Sequence, residues 1–148
     1  MGKPITALVV FVAVAFAAIA AEDPFAGMWQ LNVAKSKFSP GPPPKSATVT
    51  VDSGSKVSVQ EVSASGENVA WSFTPKAGGP SQFEGTPDSS VVETRANDRA
   101  IEHAWEFGDA KYSGKAVLSK DGKTMTFTMT WTDAKGQRVH NVEVYDKQ

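Results

Sequence analysis

The sequence contains no cysteine in its 148 residues. That excludes a disulfide-stapled fold, a thiolate zinc site, an iron–sulfur centre and a cysteine nucleophile together. Histidine is scarce, with only His103 and His140. A charge of one sign is missing too: 15 Lys and Arg stand against 16 Asp and Glu, with a pI near 6.1. No electrostatic footprint for nucleic acid exists, so no nucleic-acid partner is expected. No Asn-x-Ser/Thr sequon occurs at Asn32, Asn68, Asn97 or Asn141. Beyond the first residues no segment keeps a helical period for more than a turn. What remains, at 41% apolar and 21% charged residues, is material for one ordinary globular domain.

The one long apolar run lies at the start. Lys3 supplies a positive n-region and Ala7–Ala17 (ALVVFVAVAFA) is an apolar stretch of h-region length. Ala18-Ile19-Ala20 fits the small-x-small cleavage rule, with Ala21 as a close alternative, and Glu22, Asp23 and Pro24 end the run. Residues 1–21 are expected to be a secretory signal peptide, leaving 22–148 as the mature domain in the periplasm or extracellular space. The run falls short of the ~20 residues that span a bilayer, and no basic stop-transfer cluster follows. No stable membrane insertion is expected after cleavage. Export normally favours disulfides, so their absence leaves stability to the core, which is feasible at this size.

From Phe25 onward the dominant period is two, with turn signals about every ten residues, as in antiparallel sheets. The clearest segment is Thr124–Thr132 (TMTFTMTWT), which puts Met125, Phe127, Met129 and Trp131 on one face and threonines on the other. A period of 3.6 would scatter them. The same logic predicts strands over Phe25–Val33, Ala47–Val51, Lys56–Val62, Asn68–Thr74, Gln82–Glu84, Ser90–Ala96, Arg99–Phe107, Lys111–Ser119 and Gln137–Asp146. Asp23-Pro24 predicts a capped turn before the first strand, and Asn32–Phe38 a second turn. Ser39–Pro44 then reads as an extended polyproline strap across one barrel end, with Phe38 as a plug. About ten strands in an open sheet would leave two long pairing edges. Closure into an up-and-down antiparallel β-barrel removes both; a two-sheet β-sandwich is the alternative. The fold class is all-β.

Phe25-Ala26-Gly27-Met28-Trp29-Gln30-Leu31 resembles the opening of the calycins, the lipocalins and fatty-acid-binding proteins, whose first strand begins Gly-x-Trp after a short turn. The resemblance implies that Gly27 bends the strand as the barrel closes and Trp29 plugs the closed end. The length after the leader, the strand count and Tyr145 look more like the fatty-acid-binding branch. Two features depart from it. The space of its helical lid holds only Ala34–Lys45, and its carboxylate-binding Arg-x-Tyr would need arginine where Glu143 stands. Lipocalins often pack a late arginine over the first tryptophan; Arg138 or Lys147 could serve. The whole is also similar to small exported bacterial proteins.

Candidate site residues follow from phase. Trp71, Phe73, Trp105, Phe107, Met125, Phe127, Met129 and Trp131 all fall on core-facing positions. They either fill the barrel or line an apolar pocket, where aromatics and adaptable methionines suit a loosely specified ligand. Arg95 shares a face with Val91 and Glu93. Were that face inward, Arg95 would be a buried cation awaiting an anionic head group; were it outward, an ion pair of little worth. Lys35, Lys37, Lys45 and Lys56 read as a solvated face. No metal site is expected, because Glu102, Glu106 and Glu143 alternate away from the histidines along their strands. Glu102 and Glu106 stand roughly 13 Å apart by strand rise, too far for glycoside chemistry, and no serine sits in a nucleophile elbow. No cofactor is expected. The reading is a monomeric, non-catalytic binder of a small apolar or amphipathic ligand. The alternatives are a structural or interaction module with a filled barrel and, third, a hydrolase or isomerase on a calycin scaffold.

Overall fold

The computed structural model describes residues 22–148. The expected leader, residues 1–21, lies outside the described residues. Eleven strands form one antiparallel sheet: β1 (Gly27–Leu31), β2 (Lys37–Ser39), β3 (Ser46–Val51), β4 (Val57–Val62), β5 (Asn68–Phe73), β6 (Ser81–Phe83), β7 (Thr86–Asn97), β8 (Ala100–Phe107), β9 (Ala110–Leu118), β10 (Thr124–Thr132) and β11 (Arg138–Lys147). From β3 to β11 each strand pairs with its sequence neighbour except across β5 and β6, and β1 bridges β3 and β11. The architecture is a nearly closed up-and-down barrel.

Closure has two halves of different character. On one side the first and last strands pair, Trp29 opposite Lys147 and Leu31 opposite Tyr145. On the other, β5 and β6 share no ladder. The seam is held by the Glu84 N–H donating to the Ser72 carbonyl at 2.9 Å and by the Ser72 hydroxyl donating to Glu84 at 2.9 Å. Beneath it Phe83 meets Trp71 and Phe73 edge-on, at 5.2 and 5.4 Å between centroids. Aromatic packing thus does at the seam what a hydrogen-bond ladder does elsewhere.

The entry to β1 follows the sequence closely. The Asp23 carboxylate accepts from the Phe25 N–H at 3.0 Å and its carbonyl from the Ala26 N–H at 2.9 Å, closing the expected turn. Gly27 has φ +126°, a backbone conformation that L side chains avoid, and a Cβ there would lie 2.9 Å from the Lys147 side chain. Trp29 is fully buried, its indole N–H donates to the Phe25 carbonyl at 2.9 Å, and the Lys147 ammonium lies 5.3 Å from its ring centre. Lys147, and not Arg138, covers the tryptophan.

The segment after β1 departs from expectation. The turn after Asn32 is a short 3-10 helix over Val33–Lys35, which Asn32 caps, but the chain then adds β2, paired with β11 through Phe38 and Asn141. The strap 39–44 is not a uniform polyproline helix, because Gly41 takes φ +79°. β7 also starts earlier than its alternation suggested, at Thr86.

Two apolar clusters lie inside the barrel. One surrounds Trp29 with Phe25, Leu31, Ile101, Leu118, Met125 and Tyr145. The other joins Phe73, Phe83, Val91 and Trp105. Phe127 packs against both.

Candidate binding cavity

Residues from both clusters line a cavity of about 870 Å3. Its wall carries large rings from β5, β8 and β10 and the smaller valines of β4. Trp105 lies parallel to His103, two residues earlier, with 4.8 Å between centroids and 2° between planes. Phe127 stands edge-on to both, at 5.3 and 5.6 Å. Gly114 makes this arrangement possible: a Cβ there would fall 2.6 Å from the Thr128 carbonyl oxygen and 2.9 Å from the Trp105 ring. A glycine within a strand marks such a close approach.

Trp71, Phe73, Trp105, Phe107, Met125, Phe127, Met129 and Arg95 all line this cavity. Trp131 does not. It tilts against Tyr112 at 5.3 Å and lines a neighbouring space of about 460 Å3 beneath the 39–44 strap, with Phe38, Pro40, Pro42 and Pro44. Phe38 therefore forms part of this second space's wall. Phe107 sits at the cavity's edge with 38% of its surface exposed. Gly27 and Trp29 stay outside both linings, as structural elements of the closed end.

The face carrying Glu93 and Arg95 points inward, since Val91, Glu93 and Arg95 stand opposite Trp105, His103 and Ile101. Arg95 is nevertheless not a buried cation waiting for an anion. Its side chain is 44% exposed, and its guanidinium is already bonded to Asp23, at 2.9 and 3.4 Å, and lies 5.2 Å from the Phe25 ring centre. The pair ties the turn before β1 to β7.

Polar groups in the cavity that phase alone overlooked are mostly acceptors. His103 has a side chain only 10% exposed, and its Nε2 bonds the Glu93 carboxylate at 3.0 Å. With Glu93 ionised, Nε2 carries the proton. Nδ1 is fully buried and has no partner. Glu143 sits deep in the barrel and accepts from the Tyr145 hydroxyl at 2.7 Å. Burial pushes its carboxyl pKa up, the nearby Glu61 charge adds to this, and hydrogen bonds from Tyr145 and Asn141 partly oppose it. Glu61 is raised by burial alone. Burial, then Glu143, holds the Tyr145 phenol well above its ordinary range, so it remains a donor. Glu61, Met129 and Glu143 line both spaces and form the neck between them. These acids were findable. Glu143 is in phase with Asn141 and Tyr145 and opposite Phe127, but an arginine was the residue sought there.

Among the described residues no group of three or more His, Asp or Glu side chains could hold a metal ion. His140 is exposed, Glu102 is exposed, and Glu106 pairs on the surface with Lys111 at 3.6 Å.

No family model matches the sequence, and no curated protein matches it. Solved structures do resemble the fold. Fatty-acid-binding protein 1 of Echinococcus granulosus aligns over 84% of this chain and 97% of its own, with TM-score 0.52 and 16% identity. A Schistosoma mansoni fatty-acid-binding protein in complex with arachidonic acid aligns over 86% and 98%, with TM-score 0.51 and 14% identity. The fluorescent protein UnaG aligns over 86% and 100%, with TM-score 0.53 and 14% identity. At such identities the likeness concerns architecture: the chain has a calycin fold of the fatty-acid-binding-protein type.

Proposed function

We propose that this protein binds a small apolar or amphipathic molecule inside the barrel, without chemistry, in the periplasm or extracellular space. The observation that carries the reading is the cavity itself. About 870 Å3 walled by Trp71, Trp105, Phe127, Met125 and Met129 lies within the roughly 300–1,000 Å3 typical of small-molecule sites. Its driving force is removal of apolar ligand surface from water, about 25 cal/mol per Å2 before immobilisation is counted. The fold neighbours include a fatty-acid-binding protein holding arachidonic acid, which agrees with ligand binding on this architecture. A filled structural barrel has no use for such a space.

The His103–Glu93 pair invites a catalytic reading, because nucleophilic catalysis begins with an oriented imidazole. The other ring nitrogen must then meet a hydroxyl or thiol. Among the described residues Nδ1 of His103 meets no hydroxyl or thiol, so the protein's own side chains supply no nucleophile to this pair. The location rests on the leader-like segment 1–21.

Native mass spectrometry of protein purified from its own host tests the binding reading, together with titration of intrinsic tryptophan fluorescence by neutral dodecan-1-ol. A co-purified small molecule and a saturable fluorescence change are expected. Bare protein with no response to dodecan-1-ol refutes it. Amino-terminal sequencing of protein recovered from the host tests the leader, with a first residue of Ala21 or Glu22 expected.

A further inference from the structure

The geometry points to a ligand whose polar end is a protonated amine, held at the neck between Glu61 and Glu143 while its apolar part lies against Trp71, Trp105 and Phe127. This rests on the binding reading above and adds the chemistry of the head group. The reasoning starts from an inventory of charges on the cavity wall. Four carboxylates line it, Asp23, Glu61, Glu93 and Glu143, against two permanent cations, Lys76 and Arg95. Arg95 is spent on Asp23. Lys76 is an exposed residue of the β5–β6 loop. Among the described residues neither Glu61 nor Glu143 is in an ion pair with a lysine or arginine.

Hydrogen-bonding capacity leans the same way. The Tyr145 hydroxyl, an interior donor, is committed to Glu143, and His103 Nε2–H to Glu93. Unfilled capacity is left on acceptors: the Glu61 carboxylate and those lone pairs of Glu143 that Tyr145 and Asn141 do not fill. Carboxylates without a paired cation are costly where water is partly excluded, and a guest bearing N–H groups and positive charge supplies what they lack. A fatty-acid carboxylate supplies neither. It would bring negative charge beside Glu61 and Glu143, where burial already disfavours it. The walls agree with a cation as well, since the faces of Trp and Phe rings attract one.

The neck position makes the arrangement directional. Glu61, Met129 and Glu143 are shared by the large cavity and the space under the strap. A linear amphipath with its ammonium there can lay its chain along either apolar space, so head-group chemistry is specified more tightly than tail shape.

Three probes of equal chain length test this by calorimetric titration of the intact protein, below their micellar concentrations: dodecylammonium, dodecanoate and dodecan-1-ol. Dodecylammonium is expected to bind at least about tenfold more tightly than dodecanoate, with dodecan-1-ol between them. Glu143→Gln and Glu61→Gln together, near-isosteric and able to keep the Tyr145 bond, should bring the two charged probes to within about threefold while retaining dodecan-1-ol. Dodecanoate binding as tightly as dodecylammonium, in wild type, overturns the head-group assignment and leaves apolar binding intact. Failure of all three probes overturns both. The wild-type comparison decides the question even if the double variant does not fold.

Discussion

Gly114→Ala is the perturbation with the sharpest structural arithmetic. The added Cβ would lie 2.6 Å from the Thr128 carbonyl oxygen and 2.9 and 3.1 Å from two atoms of the Trp105 ring, where ordinary contact begins at 3.4 Å. The shortfall at Thr128 is about 0.8 Å against backbone in a paired strand, which cannot rotate away. The shortfall at Trp105 falls on a ring already stacked on His103 and only 4% exposed. Overpacking of this kind destabilises by about 1–3 kcal/mol, partly offset by the ~0.4–1 kcal/mol that Gly→Ala gains through a less flexible unfolded chain. A net loss of about 1–2 kcal/mol corresponds to a fall in Tm of roughly 3–10 °C for a domain of this size. Gly79→Ala is the matched control. A Cβ there meets nothing within 4 Å and its φ lies outside the left-handed region, so a change within about 0.5 kcal/mol is expected. Thermal unfolding followed by circular dichroism compares the two, and tryptophan emission reports whether Trp105 has moved toward the cavity. If Gly114→Ala melts with or above Gly79→Ala, the claim that Gly114 positions the Trp105 wall is wrong.

Glu143→Gln should stabilise the unliganded protein in a pH-dependent way. An acid whose folded pKa is raised above its unfolded value near 4.5 stabilises the fold at low pH and loses that contribution as pH rises through the folded pKa. The Tm difference between variant and wild type is therefore expected to be small at about pH 4 and positive at about pH 8; a difference independent of pH contradicts the burial of Glu143. Trp29→Phe keeps a ring at the closed end but leaves the Phe25 carbonyl without its indole donor, and denaturant unfolding should report a loss of about 1–3 kcal/mol. Arg95→Ala breaks a half-exposed ion pair and a cation–ring contact with Phe25, so unfolding free energy should fall by about 1 kcal/mol. Dodecylammonium should bind this variant as it binds wild type, and a large loss of that binding would reinstate Arg95 as a ligand contact.

Strands whose two faces differ in composition were legible. Thr124–Thr132 appears with the bounds its alternation dictates, because threonines and large apolar residues cannot exchange faces without burying one set and exposing the other. The same contrast placed Trp71, Phe73, Trp105 and Phe127 inside. β7 lacked it: Val91 and Val92 offer an apolar residue to each face, and the orientation of Arg95 was settled only by register against β8. β2 was invisible for a different reason. Three residues between a turn and a proline-rich strap carry no period, and their partner, Phe38 to Asn141, is more than a hundred positions away. Gly114 was silent because a glycine's role lies in what touches it.

The interior carboxylates show where pattern reading and family resemblance pull apart. Resemblance directs attention to Arg-x-Tyr, so Glu143-x-Tyr145 looks like a lost site. In the barrel it is an occupied one with the sign inverted: Tyr145 donates to the acid, Glu61 faces it as a second acid, and His103 and Glu93 add further acceptors to the same cavity. Burial disfavours the charged form of Glu143 and, more weakly, of half-buried Glu61, and Gln at either position would remove that charge while filling nearly the same volume. Both line the cavity of about 870 Å3. Carboxylates set on a cavity wall, at some expense to stability, have their counterpart in a guest and not in the fold. Hence the head group, more than the tail, is the property on which this barrel discriminates.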